Sequence, residues 1–115
     1  MKVIRIADVP SKPVSMEGVA GVRMQVILAE EDGAPSFTMR RFHVEPDGHT
    51  PRHAHAHEHE VIVDAGSGTL WTVDRTYKLE PGVVVLVGPD EEHQFRAGPE
   101  GLGFFCMVPH AGHAG

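Results

Sequence analysis

The sequence predicts a single all-β domain, a barrel or sandwich of about nine short strands. Three observations support this prediction. The chain has 115 residues, 41% of them apolar, which suits one compact domain and leaves little room for a second. Thirteen glycines and nine prolines interrupt it so often that no apolar pattern of helical period persists. The segments between these breakers are short and rich in Val, Ile, Phe and Thr, as strands are.

The predicted strands follow one another at short intervals. They cover residues 3–6, 22–29, 37–45, 58–64, 69–73, 77–79, 83–87, 93–96 and 102–108. Residues that favour turns lie at positions 31–35, 45–48, 65–68, 80–82 and 98–101. Residues 109–115 are small or polar, and they predict a flexible C-terminal tail with solvated His110 and His113. The folded domain is therefore expected to span residues 1–108.

Composition limits the partners and the setting. Sixteen acidic and ten basic residues give a net charge of -6, and scattered Lys and Arg argue against nucleic acid or an anionic membrane as partner. A small-molecule partner is expected instead. The single cysteine, Cys106, excludes an internal disulfide and fits a reducing cytoplasm. Arg5, Asp8 and Lys12 interrupt the N-terminal apolar residues, so neither a signal peptide nor a membrane span is expected.

Histidine is concentrated in one part of the chain. Six of the nine histidines lie between residues 43 and 59. Alternate residues within this region are His53, His55, His57 and His59. Because side chains alternate along a strand, these four would share one face of a straight strand. His93 begins a later predicted strand and could approach them from the side. Neutral imidazole is a ligand for Mn, Fe, Ni, Cu and Zn, so the pattern predicts a transition-metal site.

The histidine cluster resembles the first motif of the cupin family. That motif runs Gly, five residues, His-x-His, three or four residues, Glu, six residues, Gly. This sequence has, in the same order, Gly48, His53-Ala54-His55, His59 and Gly66. A histidine replaces the glutamate, as in a subset of small cupins that use four histidines, and TPRHAHAHEHEVIV is similar to their sequences.

A second cupin motif is present in a weaker form. It runs Gly, five residues, Pro-x-Gly, two residues, His, three residues, Asn. Gly82 and His93 keep their separation, while Gly88, Asp90 and Ala97 replace the usual Pro, Gly and Asn. The motifs span residues 48–66 and 82–97, and the chain resembles a small single-domain cupin over nearly its whole length. This implies a jelly-roll β-barrel, also called a double-stranded β-helix.

The resemblance implies four metal ligands, which are His53, His55, His59 and His93. Glu60 is the alternative to His59, but only His59 leaves six residues before Gly66 and shares the strand face of the other ligands. His57 is expected at the rim, because the family backbone bends between the second and third ligands; a contact with a ligand is the alternative. His43 and His49 are expected to be solvated or packed.

The resemblance also implies a cofactor and an assembly. We expect one divalent transition metal per chain, with manganese favoured over iron, nickel or zinc. We also expect a homodimer in which strand 3–6 covers an edge of the partner's sheet. Protonated imidazole cannot bind a metal, so affinity should decline as the pH falls toward and below about 6.

Four neutral imidazoles leave the charge of a divalent ion uncompensated, so we expect a small anionic ligand that binds through two oxygens. Arg40 or Arg41 could clamp it, and Phe95 could form a wall. The family hosts both metal-dependent dioxygenases, decarboxylases or isomerases and non-catalytic binding or sensing proteins, and the fold does not decide between them. A structural zinc site is the third interpretation. Cys106 has no base near it in sequence and is not expected to be a nucleophile.

Overall fold

The computed structural model describes residues 1–114 and has the predicted all-β, jelly-roll architecture. Its seven strands are β1 Lys12–Pro13, β2 Ala20–Leu28, β3 Phe37–His49, β4 His59–Thr72, β5 Thr76–Leu79, β6 Val84–Val87 and β7 His93–Pro109. Short 3-10 helices lie at Ile6–Asp8 and Glu30–Asp32, and helix α1 covers His110–Ala114. The antiparallel sheet has the order β1-β2-β3-β7-β4-β5, and β6 pairs with β4. None of the described helices is long and apolar enough to cross a membrane.

The strands are fewer and longer than predicted. Residues 58–64 and 69–73 belong to one strand, β4, and residues 93–96 and 102–108 belong to β7. The predicted turn at 65–68 is a bulged part of β4, where the pairing register with β7 shifts twice. Gly66 has a φ of 74° there, which glycine adopts without strain. Glycines therefore bend this long β4–β7 ribbon where the sequence predicts a chain reversal.

The predicted strand at residues 3–6 is wrong. These residues pair with no strand, and the chain enters a 3-10 helix at Ile6. The Gln25 side-chain amide donates hydrogen bonds of 3.0 Å to the carbonyl oxygens of Ile6 and Val9. The first strand is the short β1, which pairs with β2. A β-like composition is not sufficient here, because a strand also needs a partner in register.

The core lies between the inner faces of the strands. The alternation predicted for β4 is present, since His59, Val61 and Val63 are buried while Glu60 and Ile62 are exposed. The main core cluster consists of Val22, Val44, Val61, Val63, Leu70, Leu79, Val87, Phe95, Leu102, Phe104, Cys106 and Val108. Both the apolar core and the site described below therefore use the same inward-facing positions.

The C-terminal residues form α1 rather than an extended solvated segment. His110 Nε2 donates to the carbonyl oxygen of Ala34 at 2.7 Å, and its Nδ1 accepts from the Thr38 hydroxyl at 2.7 Å. His113 is half-buried. The expectation that both histidines are solvated is therefore corrected, because each finds contacts on the barrel. Flexibility of residues 109–115 stays a prediction.

Candidate metal centre

Five of the six histidines that line one cavity of about 420 Å³ form a cluster. They are His53, His55, His57, His59 and His93. Their rings are close, with centroids 4.0 Å apart for His53 and His55 and 4.5 Å apart for His55 and His59. The ring of His93 lies 5.2 Å from those of both His53 and His55. The four ligands that the sequence predicts are thus brought together in space.

The backbone holds the two motifs against each other. His53 and His93 form an antiparallel bridge, with mutual N–H to O distances of 3.1 and 2.9 Å. The bridge positions the His-x-His segment, which lies outside the long strands, against the start of β7. His59 comes from the start of β4. Three separate parts of the chain therefore direct imidazoles to one point.

His57 lies closer to the cluster than predicted. Its ring centroid is 4.9 Å from that of His55 and 5.1 Å from that of His59, and the side chain lines the cavity. The candidate ligand nitrogens of His55, His57 and His59 all lie within 4.8 Å of one another, as do those of His53, His55 and His93. His57 therefore lies beside two of the predicted ligands, as in the alternative to a rim position.

The nitrogen atoms suit a metal. His93 Nδ1 donates to the carbonyl oxygen of Glu91 at 2.8 Å, which leaves Nε2 with a free lone pair. His59 Nδ1 lies 3.1 Å from Cys106 Sγ. Nε2 of His55 and Nε2 of His59 are buried without a hydrogen-bond partner. Buried polar atoms are normally satisfied, so these unpartnered nitrogens fit a divalent transition ion as their missing partner.

Burial and neighbouring charges favour the neutral form of the four predicted ligands. Burial, followed by the charges of neighbouring histidines, lowers the pKa of His53 to about 4. Burial, then His55 and Arg40, lowers the pKa of His59 to about 3. Burial is also the main cause that lowers the pKa values of His55 and His93. Neutral imidazole is the form that binds a metal, so the site is prepared for one at pH 7.

One arginine faces the cavity. Arg40 is buried, and its Nη2 donates to Cys106 Sγ at 3.3 Å, while its Nε has no hydrogen-bond partner. Arg41 lies on the other face of β3 and forms an ion pair with Asp64 at 3.0 Å. Of the two arginines considered from the sequence, only Arg40 lines the site. Arg40 therefore lines the cavity and carries a buried, positively charged N–H group without a partner.

The rest of the cavity wall is apolar. Phe95, which the sequence places near the site, stacks on Phe104 with ring centroids 4.6 Å apart. The other apolar lining residues are Val14, Met16, Val19, Val22, Met24 and Phe42. The part contributed by residues 14–19 comes from a segment without regular structure, and no motif in the sequence signals it.

Glu60, His43 and His49 lie away from the cavity, whereas Cys106 lines it. Glu60 is exposed on the outer face of β4, as its parity predicts. His43 is exposed with its Nε2 3.7 Å from Glu45, and His49 Nδ1 donates to the carbonyl oxygen of Thr50 at 3.1 Å.

Burial raises the pKa of the Cys106 thiol, which disfavours the thiolate. A second cavity, of about 650 Å³ along β5 and β6, is lined by His93 alone among the clustered histidines, so it is not the metal site.

Known proteins resemble this chain both in sequence and in fold. The family model described as Cupin domain matches residues 40–108. The polyketide cyclase RemF from Streptomyces resistomycificus is 33% identical with a TM-score of 0.90, over 96% of this chain and 80% of that one. A cupin 2 conserved barrel domain protein from Rhodopseudomonas palustris is 28% identical with a TM-score of 0.82, over 89% and 72% of the two chains.

A curated relative matches part of this chain. The 1-methylthio-D-xylulose 5-phosphate methylsulfurylase of Rhodospirillum rubrum is 37% identical over 71 residues, which make up 61% of this chain and 46% of that protein. This chain thus spans about half the length of the relative.

Proposed function

The chain belongs to the cupin domain family, and from that premise we propose that it is a metal-dependent enzyme acting on an enolisable carbonyl compound, such as a 1,3-dicarbonyl. One observation carries the proposal. Buried, unpartnered imidazole nitrogens and the Arg40 guanidinium meet at one apolar cavity. The proposed ligands are His53, His55, His59 and His93, with one divalent ion per chain. Manganese is favoured, with iron, nickel or zinc as alternatives.

The charges of the site favour an anionic oxygen ligand. A divalent ion held by neutral imidazoles keeps its double charge, and Arg40 adds another positive charge nearby. When bound, the ion would supply a Lewis acid that polarises carbonyl oxygens. Loss of a proton converts a 1,3-dicarbonyl into an anion with two oxygens at chelating separation. This deepens the prediction of a small anionic ligand bound through two oxygens.

The chain's own residues orient and enclose such a substrate. The Nε–H of Arg40 can donate to an oxygen on which negative charge develops. The carbonyl oxygen of Glu91 orients the His93 ring through His93 Nδ1. Cys106 Sγ orients the His59 ring through His59 Nδ1. The Phe95 and Phe104 rings exclude water and fit the apolar body of a substrate larger than a simple dicarboxylic acid.

The relatives support this choice of substrate. A polyketide carries carbonyl groups on alternate carbons, so a polyketide cyclase acts on 1,3-dicarbonyl units. The methylsulfurylase is named for a sugar phosphate. A phosphate would need several cationic or backbone donors, and outside the histidines the only cation lining this cavity among the described residues is Arg40. The apolar wall therefore favours the dicarbonyl.

Titration of the metal-loaded protein with 1-phenylbutane-1,3-dione tests the proposal. We expect binding that requires the metal and that weakens about 10-fold or more in Arg40→Met, because a charge-assisted hydrogen bond is lost. Arg41→Met is the matched control and should bind normally, since Arg41 faces the other way. Absence of metal-dependent binding would sink the proposal. Binding without conversion of any 1,3-dicarbonyl would favour a non-catalytic binding protein.

A cytoplasmic homodimer is also proposed. The free Cys106 suits a reducing compartment. Val84 and Leu86 of β6 are 70% and 67% exposed, and Val3 is 87% exposed, which gives apolar surface for a second copy to cover. Size-exclusion chromatography with light scattering should give twice the mass of one chain, whereas a monomer would contradict this assembly.

A further inference from the structure

A sixth histidine reaches the cavity from the C-terminal helix. His113 lines the same cavity as Arg40 and Phe95, and its Nδ1 is buried without a hydrogen-bond partner. It belongs to neither of the two groups of histidines whose nitrogens lie within 4.8 Å of one another. His113 therefore lines the cavity and carries an unpartnered ring nitrogen, without being part of the metal cluster.

The contacts of α1 hold His113 in this position. Both ring nitrogens of His110 are hydrogen-bonded, to Thr38 and to the backbone of Ala34. Gly112 is buried against His57, and a methyl group at this position would lie 2.7 Å from Cγ and from Nε2 of that ring. The backbone at Gly112 is not left-handed, so glycine is needed here for space and not for conformation.

We propose that His113 is a catalytic residue that takes up the proton released by the substrate, an inference that rests on the proposed function. The C–H bond between two carbonyl groups breaks, and its electron pair passes into the dicarbonyl unit, which becomes an enolate. The proton goes to Nδ1 of His113, and Nε2 keeps its own hydrogen. Atoms and charge balance without an oxidant or a reductant.

The surroundings of His113 support this role. Burial, together with the nearby Arg40 charge, lowers the pKa of His113, which favours the neutral ring at pH 7. A neutral ring with a free nitrogen can accept a proton. Arg40 lines the same cavity and can stabilise the negative charge that forms on the substrate oxygens.

The test follows enolate formation by stopped-flow absorbance, using the manganese-loaded protein of residues 1–115 and 1-phenylbutane-1,3-dione. Glutamine is polar and of similar size but cannot take up the proton. We therefore expect His113→Gln to bind the diketone within about threefold of the wild type and to form the enolate about 100-fold more slowly. Metal content and the thermal unfolding midpoint should match the wild type. His43→Gln, at an exposed position, is the control.

Gly112→Ala provides a second variant that leaves His113 itself intact. The added methyl group should displace α1 from His57 and slow enolate formation by a similar factor, whereas Ala111→Ser on the exposed side of α1 should not. An unchanged rate in both His113→Gln and Gly112→Ala would overturn the role of His113 alone. Failure of the wild type to bind the diketone would overturn the proposed function as well.

Discussion

His59 and Glu60 are adjacent, and both occupy spacings that a metal ligand could use. The structure separates them, because His59 is 8% exposed on the inner face of β4 while Glu60 lies on the outer face. Alternation along a strand is a local property, so the sequence predicts this choice. The placement of His57 and His113 depends on contacts between distant segments, which a local pattern does not contain.

Substitution of these two neighbours tests the assignment directly. We predict that His59→Ala lowers metal affinity by at least about 10-fold, since it removes an inward-facing nitrogen donor. Glu60→Ala should retain stoichiometric metal, because its side chain faces solvent. Competition with a chelator of known affinity measures both. Equal losses in the two variants would mean that the strand face does not decide the ligand.

The inner-facing positions of β3 and β4 are also predictable from alternation and from strand-forming residues. Whether a glycine reverses a chain or bends a strand is not, because that depends on its partner. Gly66 follows a buried run that could end in a turn, yet β7 continues beside it and keeps it in the sheet. The short β1 was missed for the same reason, since only its pairing with β2 makes it a strand.

The bulge at Gly66 yields a prediction for strand β4. A methyl group there would overlap the carbonyl oxygen of Gly101, and the φ of 74° is unfavourable for alanine. Gly33 has a φ of 91° with nothing close to the added methyl. We predict that Gly33→Ala lowers the free energy of unfolding by about 1–2 kcal/mol and that Gly66→Ala lowers it clearly more.

Urea unfolding of the two variants separates backbone strain from steric overlap. Because Gly66 lies outside the set of residues that line the histidine cavity, the folded fraction of Gly66→Ala should keep its metal. Equal destabilisation of the two variants would show that β7 moves aside, and that the ribbon is not fixed by this contact.

At the scale of the whole molecule, a cluster of neutral histidines links stability to pH. The folded-state pKa of His53 is about 4 and that of His59 is about 3, against about 6.5 in an unfolded chain. As the pH falls below about 6.5, the unfolded chain binds protons that the folded site does not. The contribution of His53 and His59 to the free energy of unfolding is therefore complete above pH 6.5. It is lost progressively as the pH falls toward 4 and 3.

We accordingly predict that the unfolding midpoint of the metal-free protein falls as the pH is lowered from 7 to 4. His59→Leu should show a shallower decline, while His43→Gln should follow the wild type. Scanning calorimetry over this range measures the slopes. An equal slope in His59→Leu would contradict the depressed pKa of His59. Protonation of the ligand histidines would also displace the metal. Because their pKa values are lowered in the folded protein, metal should be lost at a lower pH than the value of about 6 expected from free imidazole.

The central feature of the proposed site is a metal held by histidines, with coordination positions open to substrate. X-ray absorption spectroscopy at the metal edge, on protein purified without a histidine tag and with its metal content determined, tests this most directly. We predict one divalent transition ion per chain, bound by four histidine nitrogens and by oxygen ligands that change when 1-phenylbutane-1,3-dione is added. Four-coordinate zinc with a spectrum unaffected by the diketone, or no stoichiometric metal, would contradict it.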